Sequence, residues 1–352
     1  MAKPSDDAEI RELLGTVPMQ GALRIGFSRE PSYFACPAPA GIEEHTLLAR
    51  REGRLLSAGA WSLREAWWRG EPSRIGYLHG LRMASGTEGS IRVLREGYAE
   101  LARRIAGTDA IGWFTSVDAD NMRARRVFES RASGLPRYRR MAEYLTRVTP
   151  VPLQGGVKTT SCVESHEELT DFLHREAARH DLALTWDKAR WCALEASGFR
   201  IDDIAVVRRG GRIVGAAGVW DQSWWKQVVV HGYPRWMRWM RPVIGAGAVC
   251  LGWPGLPCEG GRLPLATVFP FAVAEGCQGV IPELWRGLVA VARARKIEWL
   301  ALGLDAADPV WQGWRRMGIS YRTVIYSVGG GGFPDRWVET RGRMIRPDCA
   351  TL

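Results

Sequence analysis

The sequence lacks an apolar run that could cross a lipid bilayer. The longest uncharged stretch is residues 242–258, and its three prolines and four glycines do not suit a lipid-spanning helix. The first eleven residues are polar and lack the apolar core of a signal peptide. We therefore expect a cytoplasmic protein without a membrane span.

Cysteine is scarce, and its pattern argues against two kinds of scaffold. The seven cysteines are odd in number, scattered along the chain and never spaced as Cys-x-x-Cys. This pattern predicts reduced thiols rather than a disulfide framework or a zinc site. We accordingly expect no metal.

Lysine is also rare, because only five of the 48 lysine and arginine residues are lysines. The net charge is nevertheless +10. Two explanations stay open: the codon bias of a GC-rich genome, and recognition of phosphate groups, which the forked arginine side chain suits. The length of 352 residues, with 46% hydrophobic residues, predicts about two globular domains.

The chain contains an internal repeat. Residues 53–56 (Gly-Arg-Leu-Leu) recur as residues 211–214 (Gly-Arg-Ile-Val), and residues 81–91 align with residues 271–281. Four apolar residues at helical spacing also recur, with Ile91, Leu94, Tyr98 and Leu101 matching Ile281, Leu284, Leu288 and Val291. Both copies run hairpin, strand, glycine loop, helix, strand, helix, so we predict a duplicated α/β unit.

The repeat and the loop composition together predict the domain boundaries. A proline- and glycine-rich stretch after residue 150 separates a first domain, residues 1–150, from a second domain, residues 151–328. The second domain carries an insert near residues 230–262. A tail, residues 329–352, begins with four glycines, and we expect it to be loosely ordered.

The insert contains a motif, Arg235 to Arg241, in which arginine alternates with Trp-Met pairs. Three interpretations are open for it: an amphipathic helix at a membrane interface, an RNA-contacting element, or a lid packed on the body of the protein. We favour the lid.

This order of elements resembles the GNAT acyl-CoA N-acyltransferases, in tandem. Residues 120–128 are similar to the family's Asn-x-x-Ala-x-x-x-Tyr helix start, and residues 134–138 follow at the place of its closing strand. The resemblance implies an α/β fold of two tandem GNAT-like domains, each a mixed, mostly antiparallel sheet flanked by helices. It also implies an N-acyltransferase that moves an acyl group, expected to be acetyl, from acyl-CoA to an amine of a small molecule.

The resemblance places the donor site in the N-terminal domain, where the glycine loop leads into a helix. Free backbone N–H groups and the helix dipole at such a point attract a pyrophosphate. The residues implied to bind acyl-CoA are Leu81, Met83, Gly86, Thr87, Gly89, Ser90 and Asn121. For Asn121, a simple helix cap is the alternative role.

The glycine loop departs from the family's Gln/Arg-x-x-Gly-x-Gly/Ala pattern, and Glu88 stands where a pyrophosphate favours cations. Two alternatives therefore stay open. One is an enzyme of the same double fold that takes its acyl group from aminoacyl-tRNA, which the charge of +10 suits. The other is a GNAT-like binding protein without catalysis.

Four residues are candidates for acid–base catalysis. Strand alternation puts Tyr77 and His79 on one face of the strand that enters the glycine loop, where a neutral histidine could accept the proton of an amine. Tyr138 is a candidate acid for the leaving thiolate. Asp221, between aromatic residues at a hairpin tip, is a candidate base. Each has a structural alternative: core packing for the two tyrosines and His79, and a turn for Asp221.

Overall fold

A computed structural model of the chain describes residues 1–15, 23–36, 38–84, 86, 90–130, 134–154, 165–315, 317–334 and 343–352. Within these residues, thirteen strands form two sheets. The strands are β1 (Arg24–Ser28), β2 (Glu44–Arg51), β3 (Arg54–Trp68), β4 (Glu71–Met83), β5 (Trp113–Asp118), β6 (Arg137–Pro150), β7 (Ile204–Arg209), β8 (Arg212–Trp220), β9 (Gln227–Gly232), β10 (Arg262–Leu263), β11 (Leu265–Val273), β12 (Trp299–Asp305) and β13 (Ile319–Gly329).

Helices flank the sheets, and several follow an amphipathic pattern that buries one side. In the described part of the chain they are α1 (Asp7–Gly15), α2 (Ile91–Ile105), α3 (Met122–Glu129), α4 (His166–Ala177), α5 (Lys188–Ala196), α6 (Arg235–Cys250), α7 (Ile281–Ala294) and α8 (Val310–Gly313). Short 3-10 segments lie at Pro4–Asp6, Pro39–Gly41, Ile201–Asp203, Gln278–Val280 and Cys349–Thr351.

The larger sheet has ten strands in the order β2-β3-β4-β5-β13-β6-β12-β11-β8-β7. The pairs β4–β5 and β11–β12 are parallel, and the other neighbours are antiparallel. The closing strands of the two repeats, β6 in the first half and β13 in the second, are exchanged. The strand β13 lies beside β5 of the first half, and β6 lies beside β12 of the second half. Both halves therefore belong to one continuous sheet, an arrangement that the sequence did not predict.

The elements of the two halves correspond as the repeat predicts. The strands β3 and β8 begin at Arg54 and Arg212, which are aligned in the repeat. The helices α2 and α7 begin at the aligned residues Ile91 and Ile281. The predicted order of hairpin, strand, helix, strand and helix is therefore present twice. The expected pairing of Gly89 with Gly279 lies outside the described residues.

Close packing fixes how β4 lies against β5. A side chain at Gly76 in β4 would collide with the indole of Trp113 in β5, which is fully buried. Glycine therefore permits the wide Trp113 ring to lie directly against the neighbouring strand. Trp113 packs in turn with Leu101 and Ile105 of α2. This cluster anchors one end of the parallel pair.

The insert near residues 230–262 forms the end of β9, the helix α6 and the short strand β10. Antiparallel pairing joins β9 to both β1 and β10 in the smaller sheet. Its buried side chains, among them Ile25, Val228 and Leu263, form a cluster that also includes Val148 of β6 and Tyr321 of β13. The smaller sheet thus covers part of the large sheet close to its centre.

The expectation of a loosely ordered tail is wrong for residues 343–352. The buried guanidinium of Arg346 lies 2.5 Å from the buried carboxylate of Asp308, and Ile345 and Ala350 are buried as well. Ile345 joins the core cluster that contains Tyr77. Specific pairing and apolar burial hold this segment in place, and neither is visible in its glycine-rich start.

Candidate active site

The parallel strands β4 and β5 stay side by side over only three residue pairs. The paired residues are Gly76–Leu78 on β4 and Trp113–Thr115 on β5. At the last pair, the Thr115 hydroxyl donates a hydrogen bond of 2.7 Å to the Leu78 carbonyl. Both strands continue beyond this point, to Met83 and Asp118, so a gap opens between their carboxyl ends.

A β-bulge in β4 lies at the start of the gap. Ala60 pairs with His79 and Ala58 pairs with Arg82, so the step along β4 is one residue longer than the step along β3. Gly80, at the bulge, has φ of +65°, a conformation that favours glycine. Bulges bend a strand and leave one residue outside the regular pairing. The bulge therefore presents irregular backbone next to His79.

The gap opens into a cavity of about 1260 Å³. Its walls come from β4, β5 and α2 on one side and from β1, β9 and β10 on the other. Apolar side chains in these walls include Leu81, Leu94, Leu101, Ile25, Val228 and Leu263. A large concave apolar space with a few polar groups is the usual form of a small-molecule site.

His79 lies at the polar end of this cavity. Its imidazole stacks on the Tyr77 ring, with ring centroids 5.0 Å apart, as expected for two side chains on one face of β4. The Nε2 atom is buried and has no hydrogen-bond partner among the described residues. Burial lowers the pKa of His79 to about 4, so the imidazole is neutral at pH 7. A neutral ring nitrogen without a partner can accept a proton from a ligand.

A carboxylate faces His79 from the neighbouring hairpin. Glu44 Oε1, at the start of β2, lies 4.0 Å from His79 Nε2, and Glu44 Oε2 lies 3.5 Å from the guanidinium of Arg29. Burial favours the protonated form of Glu44, but nearby positive charge outweighs it and lowers the pKa below its ordinary value. Glu44 is therefore ionised and can stabilise an imidazolium on His79.

Lys226, which immediately precedes β9, adds a cation to the same end of the cavity. Burial lowers the pKa of Lys226 to about 8. Its Nζ atom lies 3.3 Å from the main-chain oxygen of Leu352 and 5.3 Å from the centroid of the Phe27 ring. The polar end thus contains a neutral histidine and two cations, Arg29 and Lys226, and the ionised Glu44 lies next to His79.

The low pKa of His79 has a measurable effect on stability. In the unfolded chain His79 takes up a proton near pH 6.5, whereas in the folded protein it does so only near pH 4. Lowering the pH between these values therefore favours the unfolded chain. Relative to the His79→Asn variant, the wild type should lose about 2–3 kcal/mol of unfolding free energy between pH 7 and pH 4. Chemical denaturation at a series of pH values measures the difference, and parallel curves for the two proteins would contradict it.

Tyr77 lies behind His79 in the core. Its hydroxyl and that of Ser116 form a hydrogen bond of 2.6 Å, and the Arg64 guanidinium lies 4.6 Å from the ring centroid. Burial raises the pKa of Tyr77 above its ordinary value. Packing on both faces fixes this ring, and the ring in turn orients His79.

Tyr138 does not line the cavity directly but is joined to a residue that does. Its hydroxyl forms a short hydrogen bond with that of Tyr98 on α2, and Tyr98 lines the cavity. The Tyr138 ring stacks on Phe128 with ring centroids 4.4 Å apart. Burial raises the pKa of Tyr98 to about 12 and raises that of Tyr138 well above its ordinary value. Both phenols therefore stay protonated at pH 7.

Asp221 lies in the loop after β8, where its carboxylate accepts a hydrogen bond of 2.8 Å from the Ser223 backbone N–H. This contact is the geometry of a turn. The neighbouring residues Gln222 and Ser223 contribute to the cavity wall. The structure therefore brings Tyr77 and His79 together on β4, whereas Asp221 lies in the loop after β8.

The described donor-binding candidates lie on β4, before α2 and at the start of α3. Leu81 lines the cavity, Met83 ends β4, and Gly86 has φ of +85°. Ser90 precedes the first turn of α2. Asn121 lines the cavity and also caps α3, since its side chain accepts a 3.0 Å hydrogen bond from the Ala124 N–H. Thr87 and Gly89 lie outside the described residues.

Arg82, between Leu81 and Met83, is a cation that the sequence interpretation did not single out. It lines the cavity, and its buried Nε atom has no hydrogen-bond partner in the described part of the chain. Burial lowers the pKa of Arg82, and no carboxylate compensates its charge there. A guanidinium in this state suits the phosphate oxygens of a ligand.

The sequence interpretation also missed Glu44, Arg29 and Lys226. These residues lie in three segments that are distant in sequence, and the fold brings them to His79. None belongs to a local motif. The alternation that identified Tyr77 and His79 operates within one strand and carries no information about the other segments.

The corresponding region of the second half is packed differently. The strands β11 and β12 are also paired over three residues, from Leu265 to Thr267 on β11. Their continuation packs in a cluster with Phe271, Trp285 and Trp314, all of them buried. The Trp285 and Trp314 rings meet edge to face at 5.3 Å between centroids. Bulky side chains thus pack this half, while the first half keeps a cavity.

Two features are absent from the described residues. No group of three or more His, Cys, Asp or Glu side chains in this part of the chain is placed to hold a metal ion. No helix within it is both long and apolar enough to span a membrane.

In sequence, the chain matches no protein-family model and no curated protein. In structure, it is similar to Saccharomyces cerevisiae N-myristoyltransferase with bound myristoyl-CoA, with a TM-score of 0.56 and 10% identity over 92% of this chain and 75% of that one. It is also similar to a tandem GNAT protein from the clavulanic acid biosynthesis pathway, with a TM-score of 0.50 and 12% identity over 92% and 93% of the two chains.

A third similar structure, a GCN5-related N-acetyltransferase from Anabaena variabilis, has a TM-score of 0.42 and 10% identity. The match covers 80% of this chain but 62% of that one, so this chain spans less than two thirds of its length. At such identities the likeness concerns the fold. The duplicated α/β unit predicted from the repeat is confirmed, and the chain has a tandem GNAT fold.

Proposed function

We propose that the chain is an N-acyltransferase that moves an acyl group from acyl-CoA to an amine. One observation carries the proposal: the gap between β4 and β5 leads into an apolar cavity whose polar end contains neutral His79, and the ionised carboxylate of Glu44 lies 4.0 Å from His79 Nε2. An apolar channel suits a thioester-bearing chain. A neutral base at its end suits the proton that an attacking amine must lose.

The donor enters through the N-terminal half in this proposal. The gap holds the pantetheine arm and the thioester, with Leu81, Met83 and Asn121 beside it. The phosphates bind at the loop from Gly86 to Ser90, which includes Thr87 and Gly89, and at the start of α2. Arg82 supplies a positive charge there. The bulky packing of the second half supports this choice of half.

The residues around the gap have separate roles in the transfer. The amine attacks the thioester carbonyl, forming the C–N bond, while His79 Nε2 accepts the amine proton and Glu44 stabilises the resulting imidazolium. Backbone N–H groups at the Gly80 bulge stabilise the oxyanion. The C–S bond then breaks, and the thiolate takes up a proton from the Tyr98–Tyr138 hydroxyl pair. His79 afterwards releases its proton to solvent and the phenolate regains one from solvent, which restores both groups. Tyr77 orients His79, and Asp221 stabilises the turn after β8.

The shape of the cavity supports a small amine as the acceptor and leaves room around the acyl group. An acceptor small enough to enter the cavity meets His79, and the carboxylate of Glu44, 4.0 Å from His79 Nε2, attracts an ammonium. The apolar wall continues beyond the gap onto β1, β9 and β10. The cavity therefore has room for acyl groups longer than the acetyl group that the resemblance implies.

Acyl-CoA binding should raise the stability of the purified protein by mass action. Thermal unfolding in the presence of CoA, acetyl-CoA, octanoyl-CoA and myristoyl-CoA measures it. At a hundredfold excess over the dissociation constant, a ligand adds about 2.7 kcal/mol. We expect the acyl-CoAs to stabilise more than CoA, because the acyl group buries apolar surface in the cavity.

Other outcomes distinguish the alternatives. Absence of a shift with every CoA compound, together with salt-sensitive binding of aminoacyl-tRNA, would replace the donor with tRNA. Stabilisation by acyl-CoA without transfer to any amine in a broad panel would make the chain a binding protein.

A further inference from the structure

The helix α6 is exposed along its whole length. None of its sixteen residues, all of them described, is buried. Its large apolar side chains are among the most exposed in the described chain: Trp239 is 85% exposed, Val243 64% and Trp236 62%. The lid packed on the body, which we favoured from the sequence, does not account for this exposure. Exposed apolar patches of this kind mark interaction surfaces.

The apolar side chains of α6 share its outward face. Trp236, Trp239 and Val243 follow one another at intervals of three and four residues, so they project from one side of the helix. On the opposite side, Met237 packs against the buried cluster of the smaller sheet. A surface helix normally turns its apolar stripe toward the core. In α6 the strongest apolar positions point to solvent instead.

The charge of α6 is entirely positive. Arg235, Arg238 and Arg241 accompany the tryptophans, and the helix contains no acidic residue. Arg238 lies 3.7 Å from Glu259 and remains 68% exposed, while Arg241 contacts Cys258. Arg262 on the adjoining strand β10 is exposed as well. The surface around the apolar face therefore attracts anions.

We propose that α6 docks on the surface of an anionic lipid bilayer. Exposed tryptophans with flanking arginines are the composition of helices that lie in the plane of a membrane interface, where the indoles enter the headgroup region and the guanidinium groups meet lipid phosphates. None of the sixteen residues of α6 is buried, so a planar, deformable surface can cover its outward face. RNA would pair with the arginines but leaves the outward Val243 and Ala246 without a contact.

Docking brings the bilayer close to the candidate active site. The helix joins β9 to β10, and Val228 and Leu263 on these strands line the cavity. Met237 of α6 packs on the same cluster. An amphiphilic substrate held in the bilayer would therefore meet the protein beside the cavity wall. Binding to the bilayer itself stands on α6 alone and does not require the proposed acyl transfer.

Vesicle co-sedimentation with the full chain tests the proposal, in the absence of any acyl-CoA. We expect binding to vesicles of equal parts phosphatidylglycerol and phosphatidylcholine, and at least fivefold weaker binding to pure phosphatidylcholine. The double variant W236S/W239S should bind the anionic vesicles at least tenfold more weakly. R235E/R238E should lose the preference for anionic lipid. W224S is the matched control. Trp224 is also exposed, but it lies before the start of β9, whereas α6 follows the end of β9.

Circular dichroism and gel filtration establish that each variant is folded, and both substituted tryptophans lie far enough from the core for folding to persist. Equal vesicle binding by wild type and W236S/W239S would overturn the proposal, as would wild-type protein that stays in the supernatant at low salt. Tight binding of single-stranded RNA without binding to vesicles would assign α6 to nucleic acid instead. Saturable binding of a soluble protein with no vesicle binding would assign it to a protein partner.

Discussion

Replacing His79 by asparagine should lower the rate of acyl transfer by about 10²–10⁴-fold, the usual effect of losing a general base. The amine cannot complete the C–N bond while it keeps its proton, and His79 Nε2 is a buried acceptor without a partner in the described chain. Asparagine is smaller and stays polar, but it cannot take up the proton. Initial rates at saturating donor and acceptor measure the loss.

His45 provides the control for this substitution. It lies on β2, which β3 separates from the strand of His79; its Nε2 atom is 3.6 Å from Glu43, and it is more exposed than His79. The variant His45→Asn should keep its activity within about threefold. Thermal shift with acyl-CoA should be unchanged in both variants, which separates proton transfer from donor binding. If His79→Asn keeps wild-type activity with saturating acceptor, His79 is structural and solvent accepts the proton.

Replacing Gly97 by tryptophan should abolish donor binding. Gly97 lies on α2 and lines the cavity, and a Cβ atom added at this position meets no atom within 4 Å. An indole at residue 97 therefore projects into open space that the donor is proposed to occupy. The stabilisation by acyl-CoA, about 2.7 kcal/mol at a hundredfold excess, should disappear. Acyl transfer should disappear with it.

Gly97→Ala is the matched variant for this position. A methyl group leaves most of the cavity open, and alanine in a helix interior is more favourable than glycine by up to about 1 kcal/mol. We expect Gly97→Ala to bind acyl-CoA normally and to unfold at a slightly higher temperature. If Gly97→Trp is folded and still shows the full shift with acyl-CoA, the donor does not occupy the cavity beside α2.

Elements with a local signal could be predicted from the sequence. The helix that begins at Ile91 has apolar residues at helical spacing. The glycines in the loop before this helix recur in the loop before Ile281. The same-face placement of Tyr77 and His79 follows from alternation within one strand, and their stacked rings agree with it. In each case the information lies within a few residues of the feature.

Features that depend on distant segments could not be predicted. Glu44 reaches His79 because β2 and β4 both pair with β3, and Lys226 arrives from the second half of the chain. The tail offers another example, since Arg346 is held by Asp308, which no local pattern connects to it. Alternation and composition describe one element at a time, whereas charge pairing is decided by the assembled fold.

The exchange of β6 and β13 affects how the protein can fold while it is being synthesised on the ribosome. The strand β5 emerges early, but its neighbour β13 is among the last strands to be made. Until then β5 and β6 present open edges, and open edges attract unwanted strand pairing. Neither half can complete its sheet alone, and the late, long-range closure predicts slow folding. The nascent chain therefore keeps these strand edges unpaired until translation is nearly finished.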